Sequence, residues 1–506
     1  MIMDGNLFGT IEARIADPAA PFLQAQGGAV LSYGDMLAAS ARYANALAAL
    51  GVRPGDRVAV QTGKYVDSVW LYIGCLRAGA VYLPLNTAYT PAEVAYFVAD
   101  AEPTLVVCEP DGLETLRSGL GHLPARIETL DTSGGGSLQR LAATMAADFQ
   151  TVDAGVDDLA AILYTSGTTG RSKGAMITHE NLRSNALALV DIWRFGRDDV
   201  LLHALPIFHT HGLFVAINTV MLSGSSLIFL PKFDLDGVMA ALPRATAMMG
   251  VPTFYTRLLS DKRFDRDAAS HMRLFVSGSA PLSAETHRAF TARTGHAILE
   301  RYGMTETNMI TSNPYDGERR PGAVGFPLPG VSVRIAEPET GRVLAQGEIG
   351  VIEMTGPNVF KGYWRMPEKT AQEFRADGWF ITGDLGYFDP DGYVTISGRA
   401  KDLIISGGFN VYPAEIENAL DALPSIGESA VVGLPHDDLG EAVTAVVTAR
   451  EGQSVEESGV RAQLEAALAK FKIPKRVLVT EALPRNAMGK VQKNALREEY
   501  AKLYKG

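Results

Sequence analysis

The chain has 506 residues, more than one hydrophobic core organises, so at least two structural domains are expected. Hydrophobic residues make up 47% and charged residues 20%, ordinary globular usage that excludes long disordered tracts. A net charge of -11 excludes nucleic acid as principal partner but leaves room for a local basic pocket that takes a small anion.

In chain order, the first residues carry acids early and no sustained apolar run, so they do not read as a secretory signal. Strand-like runs at 56–63, 80–86, 103–110, 225–231 and 272–278 alternate with amphipathic helical stretches, the pattern of α/β layers around largely buried sheets. The only two cysteines, Cys75 and Cys108, have apolar flanks and read as buried thiols in a reducing, cytoplasmic protein. The glycine triplet at 134–136 reads as a surface turn. Residues 214–222 are the most membrane-like run, but Asn218 interrupts them and small polar residues end them well short of a bilayer span, so no membrane contact is expected. After a Gly/Pro-rich stretch at 316–330, shorter strands with turn signals predict a smaller β-rich subdomain over about 320–400. The last hundred residues form a separate α/β unit: a helix opened by Pro413, strands around 428–435 and 441–450, a helix near 455–470 and a strand from about 475.

One loop carries phosphate chemistry. In YTSGTTGRSKGA, which follows an apolar strand, Thr165, Ser166, Thr168, Thr169 and Ser172 surround Gly167 and Gly170, and Lys173 closes the loop. Glycines let backbone N–H groups converge, hydroxyls add donors and the lysine adds a point charge, a set suited to a polyphosphate. The spacing fails the Walker pattern because Ser172, not glycine, precedes Lys173. Composition alone would equally allow a Ser/Thr/Gly-rich linker.

The loop resembles the signature of the acyl-adenylate-forming superfamily, with Ser172 where many members have proline. Three further segments occur in that family's order: ERYGMTE at 300–306, a long segment at 379–417 containing TGD and GRAKDLIISGG, and PRNAMGKVQK at 484–493. The resemblance implies an N-terminal AMP-binding domain over 1–400 and a mobile C-terminal domain over 401–506 with its hinge at Lys401. It assigns Thr165, Ser166, Thr168, Thr169 and Lys173 to the β- and γ-phosphates of ATP. Tyr302 is assigned to adenine, Thr305 to the α-phosphate, Glu306 to Mg2+, and Asp384 and Arg399 to the ribose. The Ser277–Pro281 turn, with Ser279 and Ala280, is placed beside the nucleotide. Lys490 is implied to be the catalytic lysine of adenylation and a site of regulatory acylation. Ser406, Gly407 and Gly408 are implied to border the pantetheine tunnel of coenzyme A.

The acid is expected between PIFHTHGLF, the turn after 272–278 and the helix opening at Ser283. His209, His211 and Arg288, with Ser277 and Gly278, replace the apolar lining that a fatty-acyl or aryl enzyme would need. These segments resemble malonyl-CoA synthetases, which implies a ligase that converts malonate, ATP and CoA to malonyl-CoA through malonyl-AMP, with methylmalonate as a further acid. In that reading Arg288 holds the distal carboxylate, and His211 rather than His209 contacts the acid. A solvated Arg288 and structural histidines remain open on the residues alone, as do a ligase for a short, medium-chain or aryl monocarboxylic acid and an adenylation module without CoA ligase activity.

Overall fold

The computed structural model describes residues 5–25, 27–121, 125–165, 172–406, 409–436, 438–465, 468–486 and 489–504. The expected α/β layers are present as two large sheets followed by a small C-terminal one. All five early strand-like runs form strands: Arg57–Gln61, Val81–Pro84, Leu105–Cys108, Ser226–Phe229 and Leu274–Ser277. Three belong to a six-stranded sheet that ends in the antiparallel pair Leu159–Thr165 and Lys173–Thr178. Strands buried on both faces need helices on both sides, and the helices are set by local signals. Ser32, Thr90 and Thr178 each cap a helix through a reciprocal box with the residue three positions on.

The second sheet has thirteen strands. Its centre is parallel, running through Ser226–Phe229, Val200–His203, Ala247–Gly250, Leu274–Ser277 and Leu299–Met304. From Leu299–Met304 onward the pairing turns antiparallel, through Asn308–Ser312, Ala323–Pro327 and Val394–Arg399 to Ser332–Ala336. The short strands expected over 320–400 therefore exist, but they extend the large sheet and share its hydrophobic core. Cys75 and Cys108 are buried free thiols.

After Val394–Arg399 the chain makes one 3-10 turn, Ala400–Asp402, and enters the C-terminal sheet at Ile404–Ser406. That sheet has its own core around Val431, Val443 and Val447. Arg450 bridges back to Glu285 on the helix Ala284–Thr294 through two bonds of 2.9 and 3.2 Å. Among the described residues no helix is long and apolar enough to cross a membrane. The run at 214–222 is instead buried, as the π-helix His211–Ile217 and the α-helix Asn218–Ser223.

Candidate active site

The C-terminal ends of the parallel strands, the place where open α/β sheets bind ligands, carry most of the expected residues. Thr165 closes its strand opposite Lys173 in an antiparallel ladder. Ser166, Thr168 and Thr169 lie outside the described residues, as do Gly407 and Gly408. Lys173 Nζ sits 4.1 Å above the Tyr363 ring and 3.5 Å from Glu373 Oε1. The Tyr363 hydroxyl donates to Glu306 Oε1 at 2.8 Å, so one tyrosine joins the loop lysine to the motif carboxylate. The segment around it is stitched to the hairpin by Met176 N to Gly362 O and Trp364 N to Gly174 O.

Glu306 follows the half-buried Thr305 in a tight turn between two strands. That turn needs Gly303, since a Cβ there would lie 1.9 Å from Asn308 O. Burial raises the Glu306 carboxyl above its ordinary value, and Tyr363 and Lys173 oppose the rise. A buried carboxylate linked through Tyr363 to Lys173 fits a hard cation whose remaining ligands come from substrate and water. Among the described residues no cluster of three or more His, Cys, Asp or Glu could hold a metal without a substrate.

On the neighbouring edge the Tyr302 hydroxyl donates to Asp384 Oδ2 at 2.5 Å, and Arg399 Nε lies 3.3 Å from Asp384 Oδ1. The C-terminal loop comes to the same place. Lys490, half-buried, has its N–H on Asn486 Oδ1 at 3.0 Å, and its ammonium is pushed down to about 8 by burial first and by Arg399 second, with Asp384 opposing. Lys401 stays exposed in the connecting turn, whose Asp402 is tied to Arg497 at 2.6 Å, and Ser406 is buried.

On the acyl side, Arg288 is exposed on the helix Ala284–Thr294. His287, Phe290 and Thr294 set the buried face of that helix, and Arg288 lies about 100° round from His287. A buried cation beside the imidazoles is Arg301, on the strand Leu299–Met304. It is 4% exposed, and its Nε and Nη2 are buried without a hydrogen-bond partner. Burial pulls its pKa down to about 9. Its guanidinium packs over Gly278, where a Cβ would meet Arg301 Cζ at 2.3 Å, so that glycine makes room for the charge.

His211 is 1% exposed, with Nδ1 3.2 Å from Ser279 Oγ and Nε2 buried and unpartnered. Ser279 itself holds a left-handed φ of 70°, while Ala280 beside it is half-buried. Burial and then Arg301 hold the His211 imidazole well below its ordinary value. His209, half-buried, is held down to about 4 by burial first, then by Arg301 and Lys490. Ser277 Oγ and Thr210 Oγ1 are also buried without partners. The pocket thus gathers one guanidinium, two imidazoles and unused hydroxyls, an inventory that awaits an anion.

The sequence reading missed Arg301 although it stands inside the quoted ERYGMTE. The available signal was a charged pair, Glu300 and Arg301, within an otherwise apolar strand. Successive strand side chains point to opposite faces, so the two cannot neutralise each other. Tyr363 carried no such signal.

The family model described as "AMP-binding enzyme" matches residues 12–364, and that of the "AMP-binding enzyme C-terminal domain" matches 415–490. The chain is 36% identical to a feruloyl-CoA synthase of an Amycolatopsis species over 94% of this chain and 95% of that one. It is likewise 36% identical to the malonate–CoA ligase of Arabidopsis thaliana, over 88% of this chain and 78% of that one. The crystal structure of ATP-bound MatB from Rhodopseudomonas palustris is 58% identical, covers 99% of this chain and 100% of its own, and superposes with a TM-score of 0.98. With both family models matched in order along the chain, the chain belongs to the AMP-binding enzyme family, the acyl-adenylate-forming superfamily.

Proposed function

We propose that the enzyme is a malonyl-CoA synthetase that activates malonate with ATP and transfers the malonyl group to coenzyme A, and that methylmalonate is a second substrate. The observation that carries this reading is Arg301, a buried guanidinium with two unused donor nitrogens, flanked by the unpartnered His211 Nε2 and Ser277 Oγ. A dicarboxylate entering the pocket supplies the missing acceptors, while an aryl or fatty acid leaves a buried charge unpaired at a cost of several kcal/mol, on the order of 3–5. Identity of 58% to the malonyl-CoA synthetase MatB over the full length supports the same acid.

In the first half-reaction a carboxylate oxygen of malonate attacks the α-phosphorus, and the bond to the β-phosphate breaks to release pyrophosphate. Catalysis of this kind rests on positioning and on stabilising charge spread over phosphoryl oxygens. Thr165, Ser166, Thr168, Thr169 and Lys173 cradle the β- and γ-phosphates, Lys173 exchanging Glu373 for phosphate. Tyr302 stacks on adenine, Asp384 and Arg399 hold the ribose, and Thr305 bonds the α-phosphate. Glu306, oriented by Tyr363, would hold Mg2+, which neutralises charge on the triphosphate when bound. Lys490 reaches the α-phosphate and the attacking carboxylate. Arg301 takes the distal carboxylate in this reading, with His211 alongside; His209 supports the pocket next to Lys490.

In the second half-reaction the CoA sulfur attacks the acyl carbon and AMP leaves. Rotation about Lys401 removes Lys490 and brings Ser406, Gly407 and Gly408 to the thiol's path. The test is CoA- and Mg2+-dependent AMP release from ATP with malonate, methylmalonate, sulfoacetate, acetate, octanoate, coumarate and ferulate. A higher kcat/KM for any monocarboxylate than for malonate overturns the reading.

A further inference from the structure

A further cation, half-buried, is enclosed by His203 and Phe229 and lies outside every motif above. Lys64, in the loop after the strand Arg57–Gln61, projects into the space between the two large sheets. Its Nζ lies 2.7 Å from His203 Nδ1, 2.8 Å from His203 O and 4.4 Å from the Phe229 ring centroid. No carboxylate takes part in these contacts. Two hydrogen bonds and a cation–π contact occupy the ammonium's three donors instead.

His203 ends the strand Val200–His203 and is buried. Its Nε2 lies 2.8 Å from Gly212 O, a contact that requires Nε2 to carry the proton, since a carbonyl only accepts. Nδ1 is then a bare acceptor, which is what Lys64 donates to. Lys64 therefore selects the tautomer, and the tautomer decides whether Gly212 is held. Burial holds both groups well below their ordinary values. A second proton on His203 would point at the Lys64 donor, so the imidazole stays neutral.

Gly212 is the second residue of the π-helix His211–Ile217. Helices with this wide turn are rare and often mark functional sites. The backbone there is close-packed as well: a Cβ on Gly212 would lie 2.0 Å from Pro206 O. Leu213 N bonds His209 O at 3.0 Å, so the opening turn is pinned on one side by His209 and on the other by His203. The side chain that this turn presents is His211, whose Nε2 is unpartnered.

We propose that Lys64 and His203 are positioning residues that set acid specificity by locking the first turn of the π-helix and so aiming His211 at the substrate carboxylate. The inference rests on the acyl-pocket reading above, but it concerns coupling between positions rather than the identity of the acid. Two residues distant in sequence act through one carbonyl, and neither touches the substrate.

The test is a double-mutant cycle with His203→Asn, His203→Gln, Lys64→Met and Lys64→Arg, each made alone and in a His211→Phe background. Steady-state kcat and KM are read for malonate and for ATP, and each variant's thermal melt confirms folding. Asn keeps an acceptor near Nδ1 but cannot reach Gly212, whereas Gln can place its amide near the Nε2 position. His203→Asn and Lys64→Met are expected to raise the malonate KM on the order of ten-fold or more, as small misplacements of a binding group do. The ATP KM should stay within about two-fold, and in the His211→Phe background the same changes should cost less than about two-fold, because they act through the missing imidazole. His203→Gln and Lys64→Arg, which keep the donors, should retain most of the malonate affinity. In 15N spectra of the wild-type enzyme His203 should appear as the Nε2–H tautomer. Equal losses with and without His211, or a matching rise in the ATP KM, would overturn the proposal. If another acid proves the better substrate, the cycle is run with that acid, so failure of the malonate reading and failure of the coupling give different results.

Discussion

Replacing Arg301 by Met removes the pocket's guanidinium and keeps most of its volume. Burial moves the Arg301 pKa down from the usual arginine range to about 9. That fall corresponds to about 5 kcal/mol of disfavoured charge in the acid-free enzyme. The folded-state value is depressed for a cation, so the penalty is full at every pH below about 9 and is relieved only as pH rises beyond it. At neutral pH the whole penalty stands, and the distal carboxylate of malonate offsets it with charge-assisted bonds to Nε and Nη2. Breaking a buried pair by deleting one partner costs about 3–5 kcal/mol, which predicts a fall in malonate kcat/KM of roughly 150- to 5,000-fold. Propionate, which ends in a methyl group where malonate has its second carboxylate, should be used as well as or better than by the wild type. The free variant should melt no lower than the wild type, since a buried unpaired charge has gone, and malonate should no longer raise its melting temperature. The assay is initial-rate pyrophosphate release with both acids, accompanied by thermal melts with and without malonate. A loss for malonate below about ten-fold, or an unchanged ratio between the two acids, refutes the reasoning.

Arg288→Ala, on the solvent face of its helix, should leave the malonate KM within about two-fold of wild type, as surface substitutions usually do; a ten-fold rise in steady-state kinetics would return the distal carboxylate to Arg288. Lys490→Ala should lower pyrophosphate release on the order of a hundred-fold or more while sparing thioester formation from supplied malonyl-AMP, and equal loss in both half-reactions would remove Lys490 from adenylation. Because burial sets the Lys490 ammonium at about 8, adenylation in the wild type should fall as pH rises through that value, and Lys490→Arg should move the fall to higher pH in a pH–rate profile. Glu300 is buried and raised to about 8, so between its unfolded value and pH 8 the folded state holds a proton that the unfolded state has released, and stability drops as pH rises through that window. Glu300→Gln should abolish this slope and raise the melting temperature more at pH 8 than at pH 5; equal shifts at both would sink the assignment.

Much of the fold could be read locally. Apolar runs bounded by turn residues marked the strands of both large sheets, and Ser283 announced the helix it caps. The strands over 320–400 were also foreseen, but not that they would continue the large sheet, because pairing of Ala323–Pro327 with Val394–Arg399 joins segments about seventy residues apart. The π-helix at His211–Ile217 had no signature beyond two histidines in an apolar run.

By itself, the sequence determined the family chemistry: a loop of glycines, hydroxyls and a lysine left a linker equally open, and the order of four motifs identified an adenylate-forming enzyme. It also announced that the acid pocket holds cations. Which cation was decided only by tertiary structure. Arg288 and Arg301 are the same residue type thirteen positions apart, but one lies on the exposed face of a helix and the other on a central strand over Gly278. Lys64 and His203, 139 residues apart, meet only when two sheets pack. The physical reason is that a charge acquires its meaning from desolvation and from its partners, and both are set by neighbours remote in sequence.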